Sequence, residues 1–318
     1  MVVPVKNRAD LLRRTLDGLA AQTADDFDVI VVDDSSTDGS GDVARSAAAS
    51  GLQVTVLSNQ GAGAVAARAT GARHATGEVL AFLDSDCVPS ACWLEAGIHA
   101  IAQGADVVQG RTLPEGPVRP GERSVSVPEP DGLFATCNVF YRRSAFEVAG
   151  GFDLDAGNRF GFRHGEALRG LGFGEDTLLG WRVRRNAKFV FAPRALVHHA
   201  VLPFSPRDTI ERAWAAGGFP SLLREVPELS ATLLSSGVGL GDLWRVPLWA
   251  ACGLALLGRP RFALVAVAAW VIRRSIPVLR DEPSWRRRPA IVAATLAADA
   301  VTAAGLAIGS ARARRLIL

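Results

Sequence analysis

Apolar positions in the first hundred residues fall into short runs separated by stretches of helical period. Residues 2–5 form one such run, and 10–22 then place Leu11, Leu12, Leu16 and Leu19 on one face of a helix. An apolar, β-branched run at 27–32 ends in the turn-rich cluster DDSSTDG, which caps a helix expected over 41–50. The unit repeats, with a strand at 54–57, a helix at 62–75 and a strand at 79–83 that stops at Asp84-Ser85-Asp86. Strands and helices of this length in alternation predict an α/β fold with a doubly wound, largely parallel sheet covered by helices on both faces.

Beyond residue 108 the texture changes. Residues 111–132 are rich in proline and glycine with little periodicity and read as a long active-site loop. A strand is expected at 133–141, a short helix at 144–149, a turn at 150–153 and a second loop to Gly174. Glu175 and Asp176 then open a helix over 177–185, and short strands at 189–191 and 195–197 end at His198-His199. From Pro206 the pattern is helical and increasingly apolar. The stretches 246–258 and 262–272 are shorter than the roughly 20 residues that span a bilayer. Residues 290–309 are long enough, but Asp299 at their centre costs about 2.5–3.5 kcal/mol on insertion. The expected organisation is two halves of an α/β domain, 1–110 and 111–205, followed by an apolar helical region, 206–318.

With 49% hydrophobic residues and 21% charge, the chain is not disordered as a whole. Its net charge of +3 hides an asymmetry: residues 244–318 carry twelve arginines against Asp281, Glu282 and Asp299, a net +9, which leaves −6 on the rest. A basic, apolar tail on an acidic body points to a membrane surface as the partner of 244–318 and not to nucleic acid. Cys87, Cys92, Cys137 and Cys252 lack a C-x-x-C spacing and are expected to be reduced and buried. No apolar run of signal-peptide length opens the sequence, so the body is expected in the cytoplasm. Because the chain begins almost inside a strand, a start a few residues upstream is also expected.

In open parallel sheets, ligands bind beyond the carboxyl ends of the strands, and acids recur there. Asp33-Asp34 closes one strand and Asp84-Ser85-Asp86 another; either alone also suits a helix cap. Glu175-Asp176 follows at a helix start and His198-His199 after the last strand. A hard divalent cation needs oxygen ligands, which suits Asp86 with one imidazole. An acceptor hydroxyl needs a base, which suits Asp176. A competing pattern is NQGAGAVAARATGA at 59–72, where Gly61, Gly63 and Ala66 match G-x-G-x-x-A with an acid, Asp84, about twenty positions later. That pattern would make the chain a dinucleotide-dependent oxidoreductase. Such a loop normally occupies the first strand-turn-helix, however, and two units precede it here. It also gives no account of Asp33-Asp34, Asp86 or Glu175-Asp176.

Five motifs occur in order: VPVKN at 3–7, VVDDSSTDG at 31–39, GEVLAFLDSD at 77–86, GGFD at 150–153 and GEDTLLGWR at 174–182. On these, residues 2–200 resemble the inverting, non-processive family 2 glycosyltransferases of GT-A fold. The resemblance implies an enzyme that moves one sugar from a nucleotide-diphosphate sugar to an acceptor hydroxyl with a divalent cation, manganese or magnesium. It makes 1–110 the nucleotide-sugar half and 111–205 the acceptor-binding and catalytic half. It implies that Pro4, Asp33 and Asp34 surround the base and ribose, with Asp33 the direct contact, and that Asp84 faces the ribose or sugar. Asp86 would hold the metal, with His199 favoured over His198 as second ligand, Arg68 would lie near the diphosphate, and Asp176 with Glu175 would be the catalytic base pair. No Gln-x-x-Arg-Trp sequence follows that pair, whereas processive synthases of the family carry one, so single-sugar transfer is expected. Retention of every acidic motif argues against an inactive membrane-bound scaffold. Arginines 273–274, 286–288, 312, 314 and 315 flank the apolar stretches, as expected for helices lying in or dipping into the cytoplasmic leaflet of the cell membrane. The acceptor is then a lipid-linked or cell-envelope glycan.

Overall fold

The computed structural model describes residues 1–160, 173–235, 239–240 and 245–318. Part of the second expected loop (161–172) and residues 236–238 and 241–244 of the expected helical region lie outside the described residues. The chain divides into two compact units. The first holds Met1–Pro117, Ser124–Ala156 and the described residues from 173 to Val201; the second holds Val118–Arg123, 157–160 and the residues from Leu202 onward.

The first unit is built on one sheet of eight strands: β1 (Val2–Val5), β2 (Val29–Asp33), β3 (Val54–Ser58), β4 (Val79–Leu83), β5 (Cys87–Pro89), β6 (Val107–Pro114), β7 (Asn138–Arg142) and β8 (Phe189–His199). Their order is β3-β2-β1-β4-β7-β6-β8-β5. The helices of the chain's first two hundred residues are α1 (Ala9–Ala20), α2 (Ser40–Ala49), α3 (Ala64–His74), α4 (Trp93–Ala102), α5 (Arg143–Val148), the short α6 (Ala156–Arg159) and α7 (Glu175–Arg184).

Alternation along the strands explains why the runs are apolar throughout. Val3, Val5, Val29 and Val31 face one core with Leu12, Leu16 and Leu19 of α1 and Trp93 of α4. Val2, Ile30 and Val32 face the other with Ala67 and Ala72 of α3 and Leu179 and Val183 of α7. A sheet buried on both faces cannot show a polar alternation. The small residues of α3 serve this packing, since a Cβ on Gly71 would collide with the side chain of Val2.

β1 to β4 are mutually parallel, as the sequence pattern predicts. Beyond them the sheet is mixed: β7 runs antiparallel to β4 and β6, and β5 antiparallel to β8. The expected strand at 133–141 begins only at Asn138; Phe134 before it has a left-handed backbone, φ 55°. The two short strands expected at 189–197 are one, β8, whose pairing with β6 shifts register at Gly110 and Arg111. The chain builds outward from β1 to β2 and β3, then returns to lay β4 on the other side of β1. The carboxyl ends of β1 and β4 therefore flank a topological switch point, where open sheets leave a crevice for ligand.

Apart from a two-stranded antiparallel pair, Leu234–Ser235 with Gly239–Leu240, the second unit is helical: α8 (Pro206–Trp214), α9 (Phe219–Glu225), the short α10 (Ser230–Leu233), α11 (Val246–Leu256), α12 (Pro260–Asp281) and α13 (Arg288–Ala313). Ser205 starts α8, its Oγ accepting from Asp208 N–H at 3.2 Å. The stretch expected to end at 272 continues through Arg273 and Arg274, so α12 has 22 residues, and α13 has 26; both are long and apolar enough to cross a membrane by length and composition. Asp299 of α13 is not an uncompensated charge. Arg274 Nε lies 2.6 Å from its Oδ2 and Trp270 Nε1 donates to it at 3.1 Å. α13 packs on α8 and α9, whereas α11 and α12 expose Leu256, Phe262, Leu264, Val265 and Ile272. Of the four cysteines expected to be buried, Cys87 and Cys137 are, but Cys252 is exposed and Cys92 half-buried.

Candidate active site

The turns that leave β1 and β2 are laced together. Asn7 and Ser35 both adopt left-handed backbone, φ 50° and 63°. Asn7 N–H donates to Ser36 Oγ at 3.0 Å, Thr37 N–H donates to Asn7 Oδ1 at 2.7 Å, and Ser36 N–H donates to Asp33 Oδ1 at 2.9 Å. The two adjacent acids then diverge. Asp34 is buried and accepts from Asn59 Nδ2 at 2.6 Å, Gly63 N–H at 3.0 Å and Lys6 Nζ at 3.1 Å. Its carboxylate is fully engaged in fixing the ends of β1 and β3 and the start of α3. Asp33 stays half-buried and borders an open hollow with Arg45, Leu57 and Ser58. Pro4 is buried in β1 opposite Val32.

These contacts correct the dinucleotide pattern. The amide of Gly63, where α3 begins, points at the carboxylate of Asp34. An anionic side chain occupies the helix N-terminus that a pyrophosphate would need. Asp84, the acid that completed the pattern, is held by Arg68 instead.

Arg68 projects from α3 and is only 7% exposed. Its Nη2 lies 2.6 Å from Asp84 Oδ1 and its Nη1 3.8 Å from Glu175 Oε1. Those two carboxylates, with Asp176 beside them, hold the guanidinium firmly charged against the cost of its burial. Glu175 and Asp176 occupy the first turn of α7 after Gly174, which has a left-handed φ of 75°. Glu175 is 5% exposed; burial, then the Asp176 charge, push its pKa up to about 7 against the pull of Arg68. Burial likewise pushes Asp176 up to about 6, opposed by Thr177 N–H, which donates to Oδ1 at 2.8 Å, and by Arg68. One guanidinium thus serves three carboxylates, and the two on α7 titrate as a pair.

Asp86 lies in the turn between β4 and β5 and is 8% exposed. His199 ends β8, directly opposite Cys87 in the antiparallel β5–β8 pair. It is 3% exposed, and its Nε2 lies 3.5 Å from Asp86 Oδ1. His198 alternates to the other face. His199 Nδ1 lies 2.8 Å from the Ala200 carbonyl oxygen and 3.2 Å from Ser124 Oγ. A carbonyl only accepts, so Nδ1 carries a proton there, and the ring presents Nε2 to the carboxylate. A histidine fixed through Nδ1, with Nε2 turned to a buried carboxylate, is the usual form of a metal ligand. The donor set fits a divalent ion. The Cys87 thiol lies in the same cluster, all ligand atoms falling within 4.8 Å of one another, but burial pushes it up and keeps it protonated.

The sequence pattern missed Arg8. Its Nη1 lies 2.5 Å from Asp86 Oδ2, a pairing across 78 positions that no local spacing announces. The structure therefore brings Asp84, Arg68, Glu175 and Asp176 into one cluster and Asp86, His199 and Arg8 into a second, joined through the turn 84–86. Asp33, Asp34 and Pro4 gather at the ends of β1 and β2.

Residues 1–152 match the family described as Glycosyl transferase family 2. Over 124 residues the chain is 38% identical to glycosyltransferase AglE of Haloferax volcanii, covering 36% of this chain and 40% of that protein. Over 116 residues it is 40% identical to validoxylamine A glucosyltransferase of Streptomyces hygroscopicus subsp. jinggangensis, covering 35% and 27% respectively. The matched part thus spans less than half the length of these relatives. Among solved structures, mannosyltransferase PcManGT from Pyrobaculum calidifontis, in complex with GDP-Man and Mn2+, superposes with a TM-score of 0.59 at 18% identity, over 95% of this chain and 86% of that one. The likeness shows the GT-A fold.

Proposed function

We propose, on the match of residues 1–152 to glycosyl transferase family 2, that the protein is a metal-dependent, inverting glycosyltransferase moving one sugar from a nucleotide-diphosphate donor to an acceptor hydroxyl. The observation that carries this reading is Arg68, whose guanidinium reaches both Asp84 and Glu175 and so links the strand-end acids to the pair on α7. Residues 1–110 bind the donor in this reading and 111–205 the acceptor. Pro4 and Asp33 flank the base and ribose, Asp34 fixes the turns around them, and Asp84, oriented by Arg68, faces the ribose or sugar. Asp86 and His199 hold Mn2+ or Mg2+, which when bound neutralises the departing diphosphate.

Asp176 takes the acceptor proton. It is less buried than Glu175, one of its oxygens is fixed by Thr177 N–H, and a pKa near 6 leaves it ionised yet basic at neutral pH. The acceptor oxygen bonds to the anomeric carbon from the face opposite the diphosphate while its proton passes to Asp176. The bond to the diphosphate breaks, and the electron pair leaves with it. Arg68 keeps Glu175 and Asp84 oriented as charge shifts across the site. A panel of nucleotide sugars, assayed for transfer or hydrolysis with Mn2+ or Mg2+ and with EDTA, tests the reading. Turnover of at least one donor is expected only with metal; metal-independent NAD binding with no turnover of any donor would overturn it.

We also place residues 244–318 on the cytoplasmic side of the cell membrane. The apolar side chains exposed on α11 and α12, flanked by Arg259, Arg261 and Arg273, support contact with an anionic leaflet. The acceptor is accordingly a lipid-linked or cell-envelope glycan. The full chain is expected to float with vesicles containing phosphatidylglycerol and to lose that binding when Phe262, Leu264 and Val265 are changed to serine. A native chain that stays in the soluble fraction would contradict the placement.

A further inference from the structure

Resting on the reading of Asp86 and His199 as a cation site, we propose that Arg8 is a built-in substitute for the cation's charge, which yields its place on Asp86 when metal and a diphosphate enter together. Asp86 is a nearly buried carboxylate, with one oxygen 3.5 Å from His199 Nε2 and the other 2.5 Å from the Arg8 guanidinium. Among the described residues, Arg8 is the one permanently cationic side chain paired with it. A guanidinium does not lose its proton in proteins, so the pairing persists at every working pH.

The backbone of Arg8 is anchored while its side chain keeps some freedom. Its N–H donates to Ser40 Oγ at 3.0 Å, its carbonyl accepts from Leu12 N–H at 2.8 Å, and the side chain is 29% exposed. The N-terminus of α1 is therefore built without the guanidinium. A divalent ion bound to Asp86 with Arg8 still in place would set two cations against one carboxylate, so metal alone binds against a repulsion. A diphosphate changes the balance because its oxygens offer the released guanidinium a bidentate anionic partner. Arg8 thus couples two binding events: it opposes metal when no diphosphate is present and favours diphosphate once the metal is bound.

The test is Mn2+ binding, read by the electron paramagnetic resonance of free Mn2+, on native protein, Arg8→Gln, Arg8→Met and Arg8→Lys, with Asp86→Asn as the site control. Without nucleotide, Arg8→Gln and Arg8→Met are expected to bind Mn2+ on the order of tenfold more tightly than native, and Arg8→Lys about as native. With Mn2+ saturating, both neutral variants are expected to bind UDP or GDP on the order of tenfold more weakly than native. Circular dichroism checks that each variant is folded, and two neutral side chains of different shape guard against a local packing defect. Neutral variants that bind Mn2+ alone no better than native would overturn the role of Arg8 while leaving the cation site standing. Native protein that binds no Mn2+ even with UDP or GDP, or Asp86→Asn that binds it undiminished, would overturn the cation site itself and this proposal with it.

Discussion

Two arginines, the buried Arg68 and the half-buried Arg274, pair with carboxylates in different units, and the acids paired with each differ. Arg274 pairs with Asp299 through two nitrogens on its two oxygens, and the Trp270 indole donates to the same carboxylate. That pair sets one charge against one. Arg68 faces Asp84 and Glu175, with Asp176 adjacent, and Glu175 and Asp176 are left with pKa values raised toward neutrality. A one-to-one ion pair joins helices, whereas a cluster with surplus acids raises the proton affinity of its carboxylates.

The contrast breaks most sharply at Asp176, the proposed base. Asp176→Asn is expected to lower kcat roughly 10²–10⁴-fold while leaving nucleotide and Mn2+ affinity near native, measured by steady-state kinetics beside calorimetry. In the native enzyme, kcat/KM should rise with pH and level off above the range of about 6 to 7 in which the pair ionises. Next in size is the Arg274–Asp299 pair. Asp299→Ala removes the carboxylate that Arg274 and Trp270 share and should cost roughly 3 kcal/mol in denaturant unfolding, whereas the double change Asp299→Leu with Arg274→Met should recover most of it. Neither change should alter metal-dependent nucleotide binding.

The smallest effect carries the opposite sign. Glu175 protonates more readily in the folded chain than in the unfolded one, so the fold loses stability as pH rises from about 4.5 to about 7. Glu175→Gln should therefore be more stable than native by about 2 kcal/mol at pH 8 and indistinguishable from it at pH 4, in the absence of added metal. Destabilisation at pH 8 would mean that Arg68 compensates Glu175 fully and that the cluster is balanced after all.

The two regions were also unequally legible from the sequence. Strand-end acids reveal themselves because β-branched runs stop at Asp33, Asp84 and the turn after each, and parallel strands deliver their ends to one edge of the sheet. The division of labour within an acid pair does not show in this way. Asp33 and Asp34 look alike until Asn59 and the Gly63 amide, more than twenty positions away, claim Asp34. The same holds for His199, whose orientation depends on the antiparallel partner β5, and for Arg8, whose partner is 78 positions distant. In the helical unit, Asp299 reads as a pure cost because Arg274 and Trp270 lie on another helix. The length of α12 escaped for a related reason: Arg273 and Arg274 look like an end to an apolar run, yet arginine is a good helix former and Arg274 has its counter-charge waiting on α13.

The dinucleotide pattern marks the limit of local spacing as an argument. Gly61, Gly63 and Ala66 stand at the required intervals, but the amide of Gly63 serves Asp34 and the small residues of α3 let it lie close on Val2. The physics of the site is set by what surrounds the loop.

The surplus-acid cluster and the Asp86–His199 pair make one claim in common, that this edge of the sheet binds a nucleotide diphosphate through a divalent cation. Calorimetric titration of the native chain with UDP and GDP, each with Mn2+ and with EDTA, measures it directly. The account predicts that at least one nucleotide binds at least about tenfold more tightly with Mn2+ and that Asp86→Asn erases the difference. Equal affinity with and without the metal, or binding of neither nucleotide, would contradict it.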